Sequence, residues 1–235
     1  MPSATRNWNR CWHWRARACP NCTPRSARRS HVTEPRPLVL ASHNPGKLAE
    51  LRELLDDTRW QLRGAGEFGL GEPDESASTF VENALIKARH AARETGLPAL
   101  ADDSGLVVDA LGGAPGILSA RYAGSGASDG DNIGKLLAAA EGLEGAARAC
   151  RFVCVIVLLR HAADPMPIIA EGVWQGRLLR VPRGNGGFGY DPVFLDPASG
   201  RSAAELAPAQ KHAISHRGQA LAQLRQRFAS GFAMP

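Results

Sequence analysis

The feature that most limits this chain is Phe152 to Leu159, eight consecutive apolar residues without a charge among them. It is the longest apolar run, and it falls well short of the roughly 18–20 residues that a membrane-spanning helix needs. It reads as a buried strand. Leu38 to Ala41 reads as a first strand, and Leu97 to Ala101 as a second that ends at Asp102-Asp103-Ser104-Gly105. Arg151 to Leu159 and Pro167 to Val173 read as a pair joined by a polar turn, with Gly176 to Val181 as a third strand after them. Helical patterns lie between. Asn44-Pro45 resembles an N-cap followed by proline at the first helical position, and Leu48, Leu51, Leu54 and Leu55 follow at helical spacing. Thr79 and Glu82 form a capping box for a helix that runs to about Glu94, with Phe80, Ala84, Ala88 and Ala91 on its apolar face. Asp129 to Ala140 and the segment capped by Ser215 make two more. Mixed strands and helices, with hairpin-like pairs in the second half, give an α/β class with a mixed sheet flanked by helices.

The formal charge of +5 is misleading. Residues 1–36 hold eight arginines and one acid, Glu34, so that segment carries +7 and the remainder −2. A nucleic-acid partner argued from charge would rest on the first 36 residues alone, and the body has no basic stripe. Five cysteines, at 11, 19, 22, 150 and 154, give no spaced disulfide framework. Cys150 and Cys154 read as packed thiols. Cys19 and Cys22 have half of a zinc spacing with no second pair to complete it. Residues 1–36 read as a disordered basic extension or a misplaced start, 37–229 as the working domain and 230–235 as a tail.

Several segments carry chemistry. Ser42-His43-Asn44-Pro45-Gly46-Lys47 joins a strand to a helix N-terminus, where free N–H groups and a lysine suit a phosphate, although Walker spacing is absent. Asp102 and Asp103 are adjacent carboxylates that call for a cation, and Mg2+ is the natural one. The acidic loop Glu72, Asp74, Glu75 precedes a helix on which Asn83 and Lys87 share a face. The glycine-dense loop Gly184 to Asp191 lets backbone approach a flat ligand, with Phe188 or Tyr190 to stack on it. His216 and Arg217 fall in the first turn of the last helix, where the dipole disfavours cations unless an anionic ligand offsets it, and Lys211 lies just before them.

In this order the strings LASHNPGK (40–47), TFVENALIKARHA (79–91), ADDSGLVVDALGGAPGILSARYAG (101–124), GNGGFGYDPVF (184–194) and KHAISHRGQAL (211–221) resemble the inosine/xanthosine triphosphate pyrophosphatase family. The resemblance covers about residues 37–229. It implies an elongated α/β fold of two lobes around a nucleotide cleft, a homodimer, and cytoplasmic removal of ITP, dITP and XTP with Mg2+ as cofactor. By position, Ser42, His43, Asn44, Pro45, Gly46 and Lys47 hold the triphosphate; Lys87, on its helix face near the acidic loop, is placed to neutralise a phosphate. Asp103 binds Mg2+ and serves as general base, and Ser104 contacts substrate. Phe188, Gly189, Tyr190, Asp191, Lys211, His216 and Arg217 grip the nucleotide and its base. The second metal carboxylate falls at Asp74, with Glu75 beside it as the alternative. A related pyrophosphatase acting on pyrimidine or modified nucleotides is the competing enzyme reading, and a nucleic-acid-binding protein using residues 1–36 the competing non-enzyme one.

Val32 stands just before the first strand, and a valine codon can start translation. N-terminal sequencing of the native protein is expected to begin near Val32; a Met1 start contradicts this reading.

Overall fold

The computed structural model describes residues 35–43, 47, 48, 51, 52, 55 and 60–229. The expectations for residues 1–34, for Asn44, Pro45, Gly46 and Leu54, and for residues 230–235 lie outside them.

Among the described residues the sheet has seven strands in the order β2-β1-β3-β4-β5-β6-β7. They are β1 (Arg36–Leu40), β2 (Trp60–Gly64), β3 (Ala99–Val108), β4 (Ala149–Leu159), β5 (Ile168–Leu178), β6 (Phe194–Asp196) and β7 (Arg201–Ser202). Strand β1 is parallel to β2 and β3, and every later pairing is antiparallel, so the sheet is mixed as expected. The helices are α1 (Phe80–Thr95), α2 (Asp129–Ala139), α3 (Pro208–Ile214) and α4 (His216–Ala229). Thr79 caps α1 by accepting the Glu82 N–H, and Gly96 ends it with φ +68°, a left-handed conformation that costs glycine little. Four alanines of α1 (84, 88, 91 and 92) are buried, which lets the helix lie close on the sheet.

Two expectations are corrected. Strand β3 does not end at Asp102 but runs unbroken through Asp102-Asp103-Ser104-Gly105 to Val108. Pro167 to Val173 and Gly176 to Val181 are likewise not two strands: Ile168–Leu178 is one strand, β5, of eleven residues. Gly176 within it gives clearance, since a Cβ there would meet the Phe194 ring at 2.2 Å.

The long strands serve two cores. Leu100, Ile156, Leu158 and Ala170 pack with Leu38, Leu40, Leu51, Leu55 and α4. Leu106, Val108, Phe152, Trp174 and Leu178 pack at the other end with Leu136, Val193 and Phe194. Asp102 to Gly105 occupy the waist between these cores. Cys150 and Cys154 are buried free thiols, and burial pushes both up to about 12, which leaves them inert at neutral pH.

Helix α4 lies hard against β5. A Cβ on Gly172 would sit 1.9 Å from the His216 carbonyl oxygen and 2.8 Å from the Ala220 nitrogen. Gln219 and Gln223 accept the Val173 and Glu171 N–H groups, at 3.3 and 3.1 Å, on the length of β5 that β6 does not cover. This approach delivers His216 and Arg217 to the waist. Gly172→Ala is therefore expected to push α4 outward and destabilise the fold by about 1–3 kcal/mol, read as a fall of several degrees in Tm. An unchanged Tm would show that α4 does not need this contact.

Candidate active site

The site arises where β1 and β3 part. Their register holds only at Val39–Ala99 and Leu40–Leu100. The Ala41 N–H still reaches the Leu100 carbonyl at 2.8 Å, and beyond it, among the described residues, no named strand pairs with β3 on that side. The chain changes face here. Helical residues Leu51 and Leu55, after β1, pack on the side of Leu38, Leu40 and Leu100. Helix α1, before β3, packs on the side of Val39, Ala99 and Ala101. A crevice at the carboxyl end of parallel strands whose connections take opposite faces is where open α/β sheets bind ligands.

Asp102 and Asp103 stand at this gap. Successive strand residues face opposite sides. Asp102, almost fully buried, lies on the α4 side, with Lys47 Nζ at 2.8 Å and Arg217 Nη2 at 3.6 Å from its Oδ2. Burial alone would raise its carboxyl, but Lys47 and Arg217 outweigh that and hold it down at about 2. Asp103 lies on the α1 side, where Lys87 Nζ donates to its Oδ1 at 2.8 Å. Burial pushes Asp103 up against the pull of Lys87. The two neighbouring carboxylates thus have different nearest cations, while Asp102 still adds to the upward push on Asp103.

Lys87 also meets Glu75 at 3.3 Å, and Arg121 approaches the other Glu75 oxygen at 3.5 Å. Burial works to lower Lys87, yet Asp103 and Glu75 together hold it above its ordinary value. Asn83, one turn before Lys87, accepts the Ala77 N–H at 3.1 Å and so ties the acidic loop to α1. Glu72 and Glu75 of this loop line the smaller of the two cavities described below, and Asp74 is exposed and lines neither.

Two cavities meet at Lys47. The smaller, about 300 Å³, is lined by Ser42, His43, Lys47, Glu75, Lys87 and Asp102 among others. The larger, about 530 Å³, is lined by Lys47, Ser104 and the glycine-rich loop, with Lys211, His216 and Arg217. In that loop Asp191 accepts the Phe188 N–H at 2.9 Å and pairs with Lys211. A Cβ on Gly187 would overlap the Asp191 carboxylate at 2.0 Å, so the turn requires glycine. Gly189 donates its N–H to Asp129 at 2.6 Å. Phe188 is 56% exposed, with Lys211 Nζ at 4.9 Å and Arg217 at 5.6 Å from its ring centre. Of the two candidate rings, Tyr190 also lines the larger cavity but is buried in the core, and its hydroxyl donates to the Ser119 carbonyl at 2.8 Å. His216 stacks on Phe152, 4.8 Å between centres, and burial, reinforced by Arg217 and Lys211, lowers it to about 3. It is a neutral imidazole at physiological pH.

The donor set suits Mg2+. Asp103 Oδ2 is buried without a hydrogen-bond partner among the described residues, and Lys87 shows that the pair Asp103 and Glu75 accepts a positive group. No cluster of three or more His, Cys, Asp or Glu gathers among the described residues. Mg2+ does not require one, because it binds through one or two carboxylates, waters and substrate phosphates.

Sequence reasoning passed over Arg121, Ser119 and Asp129. The contacts that bring them to the site, Arg121 with Glu75, Asp129 with Gly189 and the Ser119 carbonyl with Tyr190, span between 46 and 71 residues of chain.

With this geometry in place, comparisons with known proteins are consistent. The Ham1 family profile matches residues 38–227. A protein of Methylococcus capsulatus named dITP/XTP pyrophosphatase is 58% identical over 192 residues, 82% of this chain and 96% of that one. The solved structure of a HAM1 protein from Coxiella burnetii superposes with a TM-score of 0.81 at 52% identity, covering 83% of this chain and all of that one. A nucleoside-triphosphatase / dITP/XTP pyrophosphatase from Mycobacterium abscessus gives a TM-score of 0.70 at 42% identity, covering 80% and 98%. The chain belongs to the Ham1 family.

Proposed function

We propose that this chain hydrolyses deaminated purine nucleoside triphosphates (ITP, dITP and XTP) to the monophosphate and pyrophosphate, in the presence of Mg2+. One observation carries the reading beyond the relatives' names: Lys47 lines both cavities, one rich in charged groups and the other bearing an exposed aromatic ring. A nucleotide has that same division. The base belongs against Phe188, and the phosphates belong past Lys47 towards Lys87.

Asp103 and Glu75 would hold Mg2+, which when bound neutralises charge on the triphosphate and keeps it in place. Asp103 orients water towards the α-phosphorus and takes its proton. Lys47 stays at the joint between the cavities because buried Asp102 anchors it. Lys87 is the second ammonium beside the phosphates. Pyrophosphate departs from the smaller cavity. Positioning and charge do most of the work in such a transfer.

Base choice rests on the 6-oxo group, an acceptor in hypoxanthine and xanthine where adenine carries a donor. Arg217 or an N–H of the Phe188–Asp191 loop donates to it. Adenine leaves that donor unpaired, at a cost of about 1–3 kcal/mol. The family resemblance also supports a homodimer and a cytoplasmic setting. Ile169 and Val173, exposed on the outward face of β5, offer apolar surface to a second copy. No helix among the described residues is long and apolar enough to cross a membrane.

Pyrophosphate release is expected from ITP, dITP and XTP and only weakly from ATP, and it is expected to stop when EDTA removes Mg2+. Equal turnover of ATP and ITP contradicts the reading. Asp103→Asn is expected to cut kcat by about 10²–10⁴. Glu75→Gln should raise the Mg2+ concentration needed for half-maximal rate, while Asp74→Asn leaves it in place. A response to Asp74→Asn alone would return the metal assignment to that residue.

A further inference from the structure

Helix α1 presents one more polar residue to the smaller cavity. His90 lies three positions after Lys87 and seven after Asn83, so the three share a helix face. His90 lines the cavity with His43, Lys47 and Lys87. Its Nε2 is buried and has no hydrogen-bond partner among the described residues. An unpaired polar atom of this kind is uncommon in a folded protein and calls for a partner, whether ligand or water. Nothing in the fold uses it: the neighbouring Ala88, Ala91 and Ala92 make the packing contacts of this turn of α1. The two lysines that line the same cavity have carboxylate partners, Lys47 in Asp102 and Lys87 in Asp103 and Glu75.

We propose that His90 is a positioning residue for the outgoing pyrophosphate, donating its ring N–H to the two terminal phosphates. The inference rests on the reading above, in which the base occupies the larger cavity and the phosphates the smaller. His90 then lies one helical turn beyond Lys87, on the side away from the larger cavity's ring-bearing loop. A ring N–H donor suits this place: it adds a directed hydrogen bond to oxygens that gain charge as the bond breaks. Glu72 and Glu75 also line this cavity, so a free anion enters it with Mg2+ rather than alone.

Isothermal titration of the full chain with inorganic pyrophosphate, and separately with IMP, both with Mg2+ present, reads this directly. His90→Phe keeps a ring and removes the donor; His90→Gln keeps an N–H at similar reach. In His90→Phe the pyrophosphate Kd is expected to rise about tenfold while the IMP Kd stays within about twofold, and His90→Gln is expected to recover most of the loss. Pyrophosphate affinity unchanged in His90→Phe overturns the proposal, as does an equal weakening of IMP and pyrophosphate. Circular dichroism melting checks each variant, and His90→Leu replaces His90→Phe under the same thresholds if the latter does not fold. The titration needs no turnover, so a wild-type chain that releases no pyrophosphate from ITP refutes the functional reading while the binding data still decide the role of His90.

Discussion

Two carboxylates on consecutive residues of one buried strand must point to opposite faces of the sheet, and the site depends on this alternation. Asp102 and Asp103 cannot share a counter-ion as a pair on a loop would. Each draws its own from elsewhere in the chain: Lys47 and Arg217 on one face, Lys87 on the other. Leaving either charge buried and unpaired would cost several kcal/mol. The strand thus dictates where three distant segments must come together. Asp102, held down at about 2, stays ionised across the working range of pH and acts as an anchor for cations. Asp103 keeps one buried oxygen without a hydrogen-bond partner among the described residues, which is the atom the proposed reaction uses.

The surrounding fold serves that convergence. Beyond Leu40, β1 withdraws and opens the edge of β3, which exposes the waist between the two cores. Gly172 lets the first turn of α4 approach β5 closely enough to bring Arg217 within reach of Asp102. Asn83 gathers the acidic loop so that Glu75, rather than its neighbour, meets Lys87. Asp191 holds the glycine-rich loop through the Phe188 N–H and Lys211, and leaves the Phe188 ring exposed over the larger cavity. Each device fixes one functional side chain by a contact that has no other evident use.

Much of this was legible in the sequence because its signals are local. The cap at Thr79, the cap at Ser215 and the apolar run of β4 all stand where the sequence places them, although Glu82 accepts the Thr79 hydroxyl instead of completing a capping box. What escaped was nonlocal or short. Two aspartates looked like the end of a strand because the cations that stabilise them lie at 47, 87 and 217. Val173 and Gly176 read as the ends of two strands because the Phe194 ring for which Gly176 makes room comes 18 residues later. Strand β2 alternates buried Trp60, Leu62 and Gly64 with more exposed Gln61 and Arg63, a correct pattern too brief to stand out. Helix α3 is seven residues long and carries no buried face. Tyr190 and Phe188 were indistinguishable as aromatic residues beside glycines; only the Ser119 carbonyl separates them.

The central claim is that the nucleotide lies across Lys47 with its α-phosphorus beside Asp103, so that water enters at that phosphorus. Hydrolysis of ITP in water enriched in oxygen-18, followed by mass spectrometry of both products, tests it most directly. The label is expected in IMP and absent from pyrophosphate. Label in pyrophosphate would mean attack at the β-phosphorus and would contradict the placement of substrate on which the account rests.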